Sequence, residues 1–257
     1  MNQETLFKNW KYEEQQPFIG WDFSYLDNRM LEGQPPWSYS ARAAELMKQS
    51  LSVVDLDTGG GERFLKLREH WPPKVVATEH YPPNLKLAIE RLSPFGAEVM
   101  DIELSDFGLM PFEEAEFDLI LNRHAAFNSN EVARVLTLRG TFLTQQVHGS
   151  SAVDLLAAFD AKPQWPDATA EKYLPRLKAA GLEIINHRDW SGELTFTDVG
   201  AIVYYLKAVP WSVPGFSVEA HQEYLLKLQN QLENGKALTF VARRYLIEAQ
   251  KTESTVD

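Results

Sequence analysis

Three consecutive glycines, Gly59 to Gly61, stand between the apolar run "SVVDL" and the segment "ERFLKLREHW", and they limit the fold more than any other feature. Glycine loses the most conformational freedom on folding, so it weakens a helix or strand interior and suits a turn or a close backbone approach. A glycine-rich turn that leads from a strand into a helix belongs to an open α/β sheet, where ligands sit beyond the carboxyl ends of the strands against free N–H groups.

The flanking sequence repeats the same unit. "LSVVDL" reads as a short apolar strand, and "ERFLKLREHW" has helical spacing until Pro72 and Pro73 stop it. "KVVATE" is a second strand, and Leu85, Ala88, Ile89 and Leu92 recur at i, i+3, i+4 and i+7 before Gly96. "AEVMDI" and "EFDLILN" are further strands, "NEVARVLTL" a short helix and "GTFLTQQV" a fifth strand. Such alternation implies right-handed crossovers and a mainly parallel sheet covered on both faces.

Beyond Val147 the pattern loosens. "SAVDLLAAF" and "TAEKYLPRLKAAG" read as helices, the second kinked or started by Pro175. "LEIINHRDW" and "ALTFVARRYLI" read as strands that extend the sheet at one edge, with the amphipathic "VEAHQEYLLKLQNQLENG" between them. The apolar "GAIVYYLKAVPW" either lines a cleft or forms a dimer face. Residues 1–48 are rich in aromatics and proline and show helical spacing only near 41–47, so they read as a cap. The expected division is therefore a cap over 1–48, a ligand-binding domain over 49–250 and a flexible tail over 251–257.

Composition narrows the partners. With 36 acids against 25 Lys and Arg, the formal charge of -11 disfavours nucleic acid, whose binding requires neutralised phosphates. No cysteine is present, which removes disulfides, thiolate metal sites and a thiol nucleophile and fits a reducing compartment. The six histidines lack zinc-motif spacing, so no metal is expected. "MNQETLFKNWKYEEQQ" has no signal-peptide core and no apolar run spans a bilayer, so the expectation is a cytoplasmic protein without a membrane partner, monomeric or homodimeric.

Three ligand classes use glycine turns. A P-loop requires Gly-Lys followed by Ser or Thr, which is absent, and a dinucleotide turn places a small residue where Phe64 stands. In the third class, the sequence resembles the class I S-adenosylmethionine-dependent methyltransferases. The resemblance lies in an acid ending strand one and alternating glycines, Asp55, Gly59 and Gly61, with Asp57 where that family usually has its first glycine. It continues in Glu79 ending strand two, Asp101 ending strand three, the "LMPFEEAEFDLILNRHAAF" segment and the helix-turn-strand "EVARVLTLRGTFLTQQV", and covers about 51–147.

That resemblance implies a Rossmann-like, doubly wound, seven-stranded α/β sheet with helices on both faces. It also implies S-adenosyl-L-methionine as cofactor and a small-molecule methyl acceptor. Cofactor contacts are implied for Asp55, Asp57, Thr58, Gly59, Gly61, Glu79, His80, Asp101, Ile102 and Asn122. In this pattern Glu79 accepts both ribose hydroxyls, Asp101 holds the adenine amine with Ile102 against the ring, and the glycines leave bare backbone for the methionine portion. Asp118, opening strand four, reads as structural.

Methyl transfer from a sulfonium requires a positioned acceptor and, for oxygen or nitrogen, removal of a proton. His124, at the carboxyl end of strand four, is the candidate base or else a buried hydrogen-bonding residue, with His148 behind it. Arg123 either orients an anionic acceptor or pairs with an acid. Among the cap aromatics Trp21, Phe23, Tyr25, Trp37 and Tyr39, the last two are candidate substrate contacts and all five suit a lid or the core. The rival functions are an RNA or protein methyltransferase and a cofactor-binding protein of the same fold without transfer activity.

Overall fold

In the computed structural model, which describes residues 2–253, the apolar run at Ser52–Leu56 becomes strand β2 at the middle of the sheet. The chain begins with helix α1 (Gln3–Glu14), strand β1 (Met30–Glu32) and helix α2 (Tyr39–Met47) before β2. Helix α3 (Glu62–Leu65), β3 (Lys74–Glu79), α4 (Pro82–Leu92), β4 (Glu98–Asp101), β5 (Phe117–Arg123), α5 (Ser129–Val135) and β6 (Leu136–Val147) follow. Then come α6 (Val153–Ala157), α7 (Ala170–Ala179), β7 (Leu182–Phe196), α8 (Val199–Ala208), α9 (Gln222–Glu233) and β8 (Leu238–Lys251).

Among the described residues the strands form one eight-stranded sheet in the order β1-β7-β8-β6-β5-β2-β3-β4. Strands β2 to β6 pair in parallel, whereas β8 runs antiparallel to both β6 and β7. The strand order reverses at β2, with β3 on one side and β5 on the other, which opens a crevice at their carboxyl ends. Alternation along the strands divides the core: Val54, Leu56, Ile120 and Phe142 pack towards α5 and α7, while Val53, Leu119, Leu121 and Leu143 pack towards α2 and α4.

The parallel, doubly covered sheet matches the expectation, with one strand more than seven. The eighth is β1, which pairs antiparallel with Leu194–Phe196 and ties the N-terminal region into the sheet. Helix α1 is also absent from the sequence reading. Its buried face consists of only Leu6 and Trp10, one turn apart, and the Asn2 side chain caps it by accepting from the Thr5 N–H at 2.8 Å. Arg29 fixes this region to α8 by donating to Glu13 Oε1 at 3.0 Å and Asp198 Oδ1 at 2.7 Å.

Pro175 neither starts α7 nor ends it: the helix begins at Ala170 after the Thr169 cap and runs through the proline. The segment expected as a cleft lining or dimer face is α8, nearly all of it buried in the core beneath α1. Its Tyr204 and Tyr205 meet the aromatics Tyr25 and Phe23. Of the expected tail, Lys251 closes β8 and residues 254–257 lie outside the described residues. No described helix is long and apolar enough to cross a membrane.

Candidate functional site

The glycine turn is built by left-handed backbone. Asp57, Gly59 and Gly61 have φ of 58°, 65° and 80°, which explains the glycines directly and makes Asp57 one of the few side chains tolerated there. Thr78 of β3 holds the turn, its Oγ1 accepting from the Asp57 N–H at 3.0 Å and its carbonyl from the Thr58 N–H at 2.8 Å. A methyl at Gly61 would meet Leu92 at 2.9 Å, so this glycine also allows α4 to approach. A methyl at Gly59 would lie 2.7 Å from Trp21 Cδ1. The backbone expected to be bare is thus roofed at Gly59 by the cap, since Trp21 is folded back through contacts with Phe18 and Trp211.

On one side of the turn the strands end in acids. Glu79 is buried, and its Oε1 already accepts the N–H groups of His80 and Tyr81 at 2.9 and 2.8 Å. Those bonds fix the carboxylate, and they partly occupy one of the two oxygens expected to be free for ribose hydroxyls. Asp57 faces Glu79; burial and then the Glu79 charge push its pKa up to about 7. Burial raises Asp55 to about 7 as well, with Thr58 opposing and Asp57 reinforcing the shift. Asp101 is exposed and accepts His80 Nδ1 at 2.8 Å, which raises the imidazole pKa. Ile102 turns into the core beside Val76 and Met110.

On the other side, β5 ends in Asn122 and Arg123, with His124 next. Asn122 is fully buried and accepts from Thr144 Oγ1 at 2.8 Å and from Gln146, while its Nδ2 has no partner. Arg123 points to the opposite face, next to Tyr39, whose buried hydroxyl is also without a partner. Burial and the Asp55 charge keep the Tyr39 hydroxyl protonated well above its ordinary pKa. His124 has a φ of 64° and its Nε2 lies 3.4 Å from Gln145 Nε2. The Gln145 amide is oriented by Trp37, whose indole N–H donates to Gln145 Oε1 at 2.8 Å. Trp37, expected against substrate, therefore spends its polar group on Gln145.

Depth and exposure together define a cleft. His124 and Asp57 both retain solvent-accessible surface, yet each is surrounded deeply enough for desolvation to dominate its titration. For His124, burial followed by the charges of Arg123, Arg244 and Arg63 holds the pKa well below its ordinary value, so the imidazole is neutral. Because Gln145 Nε2 is a donor, the neutral ring carries its proton on Nδ1.

Three contributors escaped the sequence reading: Gln145, Arg63 and Arg244, which reach the cleft from β6, α3 and β8. Gln145 has only its place near the carboxyl end of a strand as a signal and Arg63 only its place just past the glycines, while Arg244, in the middle of β8, has none. His148, just past β6, is engaged locally, its Nδ1 accepting the Ser150 N–H at 3.1 Å. Asp118 stands at the opposite end of the sheet, where it clamps Leu51 and Ser52 N–H groups at 2.9 and 3.1 Å and the Thr137 hydroxyl at 3.1 Å. Among the described residues there is no cluster of three or more His, Asp or Glu able to hold a metal.

Comparison with known proteins falls on the same segment. The family model described as a methyltransferase domain matches residues 54–143. A Mycobacterium ulcerans (strain Agy99) protein named as a probable phthiotriol/phenolphthiotriol dimycocerosates methyltransferase 2 is 25% identical over 205 residues, covering 74% of this chain and 68% of that protein. Demethylmenaquinone methyltransferase of Thermus thermophilus is 33% identical over 98 residues, which span 37% of this chain and 44% of the relative. A solved structure from Bacillus halodurans C-125, described as a candidate methyltransferase, superposes with a TM-score of 0.59 at 19% identity over 83% of this chain and 97% of that one. That superposition shows the shared fold.

Proposed function

We propose that the protein, whose residues 54–143 match the methyltransferase-domain model, is a class I S-adenosyl-L-methionine-dependent methyltransferase that methylates a small-molecule acceptor in the cleft between the ends of β2 and β5. The observation that carries this reading is the cleft floor itself, where Asp57 and His124 are deep in the molecule and still open to solvent. The acceptors in the names of the two relatives, a phthiotriol-type lipid and a quinone, are both small molecules and support the same class.

The residues present fit the cofactor. The buried Asn122 Nδ2 and Tyr39 hydroxyl are polar atoms without protein partners at the strand ends beside the positive-φ turn of Gly59 and Gly61, and they are free to take a polar group of the cofactor. In this reading Glu79 accepts the ribose hydroxyls, with its orientation fixed by the His80 and Tyr81 N–H groups. Asp101, steadied by His80, accepts the adenine amine, and Asp55 and Thr58 shape the loop.

When bound, S-adenosyl-L-methionine supplies a methyl group already activated on a sulfonium. The protein contributes position and dryness: Trp21 closes over the glycine turn and Phe23 packs beside Tyr205. As the acceptor atom gains the methyl it loses a proton, and His124 Nε2 is the acceptor for that proton once Gln145 yields its hydrogen bond. Trp37 acts here as a positioning residue through Gln145.

The test is to incubate the protein with methyl-tritiated cofactor and separate fractions of small metabolites, RNA and protein. Label is expected in the metabolite fraction. Label in RNA or protein overturns the acceptor class, and tight cofactor binding with no transfer to any fraction favours a non-transferring protein of the same fold.

A further inference from the structure

Arg123 is the misfit in the charge pattern of this molecule. The other partly buried arginines are matched: Arg29 with Glu13 and Asp198, Arg42 with Glu248, Arg134 with Glu131, and Arg244 with Glu32. Arg123 sits deep at the cleft floor, and among the described residues its guanidinium makes neither a hydrogen bond nor an ion pair. This occurs in a chain with 36 acids and 25 Lys and Arg, where a carboxylate partner would be easy to supply. An unpaired charge removed from water is costly, so such a group is kept where a partner arrives from outside.

The surroundings add to the positive charge. Arg63 and Arg244 repel Arg123, and together with burial, the larger cause, they lower its pKa to about 10. Tyr39 and Glu32 act in the opposite sense on Arg123, but Tyr39 is held protonated and Glu32 is engaged by Arg244. Asp55, also near, has its pKa lifted to about 7 and so carries only part of a charge at neutral pH. His124 is neutral and adds no negative charge. The cap contributes aromatic rings nearby, since Phe23 packs against Tyr205, which lies in the fields of Arg244 and Glu32.

We propose that the methyl acceptor carries a carboxylate or phosphate group that pairs with the Arg123 guanidinium, with Arg63 reinforcing the field and the cap aromatics covering an apolar body. The guanidinium fork matches either anion in a bidentate pair, which would set the acceptor in one orientation over His124. The proposal rests on the methyltransferase reading. The same chemistry has a second source, the α-carboxylate of the cofactor itself; Arg63 beside the glycine turn is nearer in sequence to that group, whereas Arg123, next to His124 and in register with Gln145, lies on the acceptor side.

Benzoate and phenyl phosphate serve as anionic probes and benzyl alcohol as the uncharged control, each titrated calorimetrically into protein saturated with S-adenosylhomocysteine. At least one anion is expected to bind about tenfold or more tighter than the alcohol, and Arg123→Gln to remove that advantage while S-adenosylhomocysteine affinity changes less than about twofold. Arg123→Lys is expected to recover part of it, and thermal melts establish that both variants fold. A second readout is the His124 imidazole resonance, whose titration should move to higher pH when the anion neutralises the arginines. Equal binding of anions and alcohol by the wild type overturns the proposal, and so does loss of S-adenosylhomocysteine affinity in Arg123→Gln, which would give the arginine to the cofactor carboxylate. Failure of the wild type to bind S-adenosylhomocysteine at all would instead defeat the methyltransferase reading.

Discussion

The two halves of the cleft have opposite chemistry. The ends of β2, β3 and β4 present Asp55, Asp57, Glu79 and Asp101, whereas the end of β5 and the facing part of β8 present Arg123, His124 and Arg244. Their hydrogen-bonding differs as much as their charge. Glu79 is held by neighbours one and two positions away and Asp101 by His80 just past the adjacent strand, while Arg123 is left without a partner among the described residues. The acidic half suits hydroxyl and amine donors and a cationic sulfonium, and the basic half suits an anion. A single sheet thereby separates acidic from basic side chains at the point where its strand order reverses.

The comparison breaks most sharply at Glu79. Glu79→Ala is expected to weaken S-adenosyl-L-methionine binding by roughly 1.5–3 kcal/mol, the loss of hydrogen bonds to a charged acceptor, and calorimetry with NAD as the negative control would measure it. Retained affinity would remove the ribose role from this half of the cleft. Next in size, Gly59→Ala forces a side chain into a φ of 65° and against Trp21, at a cost of about 1–2 kcal/mol from the backbone alone. Denaturant unfolding should register that loss, and Trp21→Ala in the same background should not restore it, because the backbone strain stays.

A subtler contrast concerns pH. Asp57 has a folded pKa of about 7, above the unfolded value, so its contribution to stability is fully present below about pH 4 and is lost as pH rises through about 7. Asp57→Asn, which tolerates the left-handed backbone, should therefore gain in melting temperature relative to wild type as pH rises from about 4 to about 8. A constant difference across that range would mean that Asp57 is already ionised in the folded protein at low pH. The smallest effect is expected for Trp37→Phe, which frees the Gln145 amide that holds His124. Turnover on an identified acceptor should fall a few-fold with cofactor affinity unchanged, and an equal fall in both would make Trp37 part of the general packing.

Local rules made the acidic half legible. The repeat of strand, turn and helix from Leu51 to Val147, the glycines and the acid at each strand end follow from periodicity and backbone conformation, which act over a few residues. The position of Asp57 was legible too, although its coupling to Glu79 was not, because that depends on how β2 and β3 align. Helix α1 went unread because a stripe of two residues, Leu6 and Trp10, leaves almost no periodic signal. The bond that Trp37 makes was hidden for a related reason: an indole ring reads as substrate contact or core, and only the fold brings Gln145 to its N–H.

By itself, then, the sequence determined the α/β alternation, the glycine turn and the acids that follow each of the first strands, since each arises from contacts within one structural unit. Tertiary structure alone decided that β1 joins the sheet edge beside β7, that Trp21 lies on Gly59, and that Arg123 comes within the fields of Arg63 and Arg244 without a carboxylate bonded to it. Those pairings join segments far apart in the chain, and their energies come from burial and long-range charge, which exist only once the sheet has closed the distances between them.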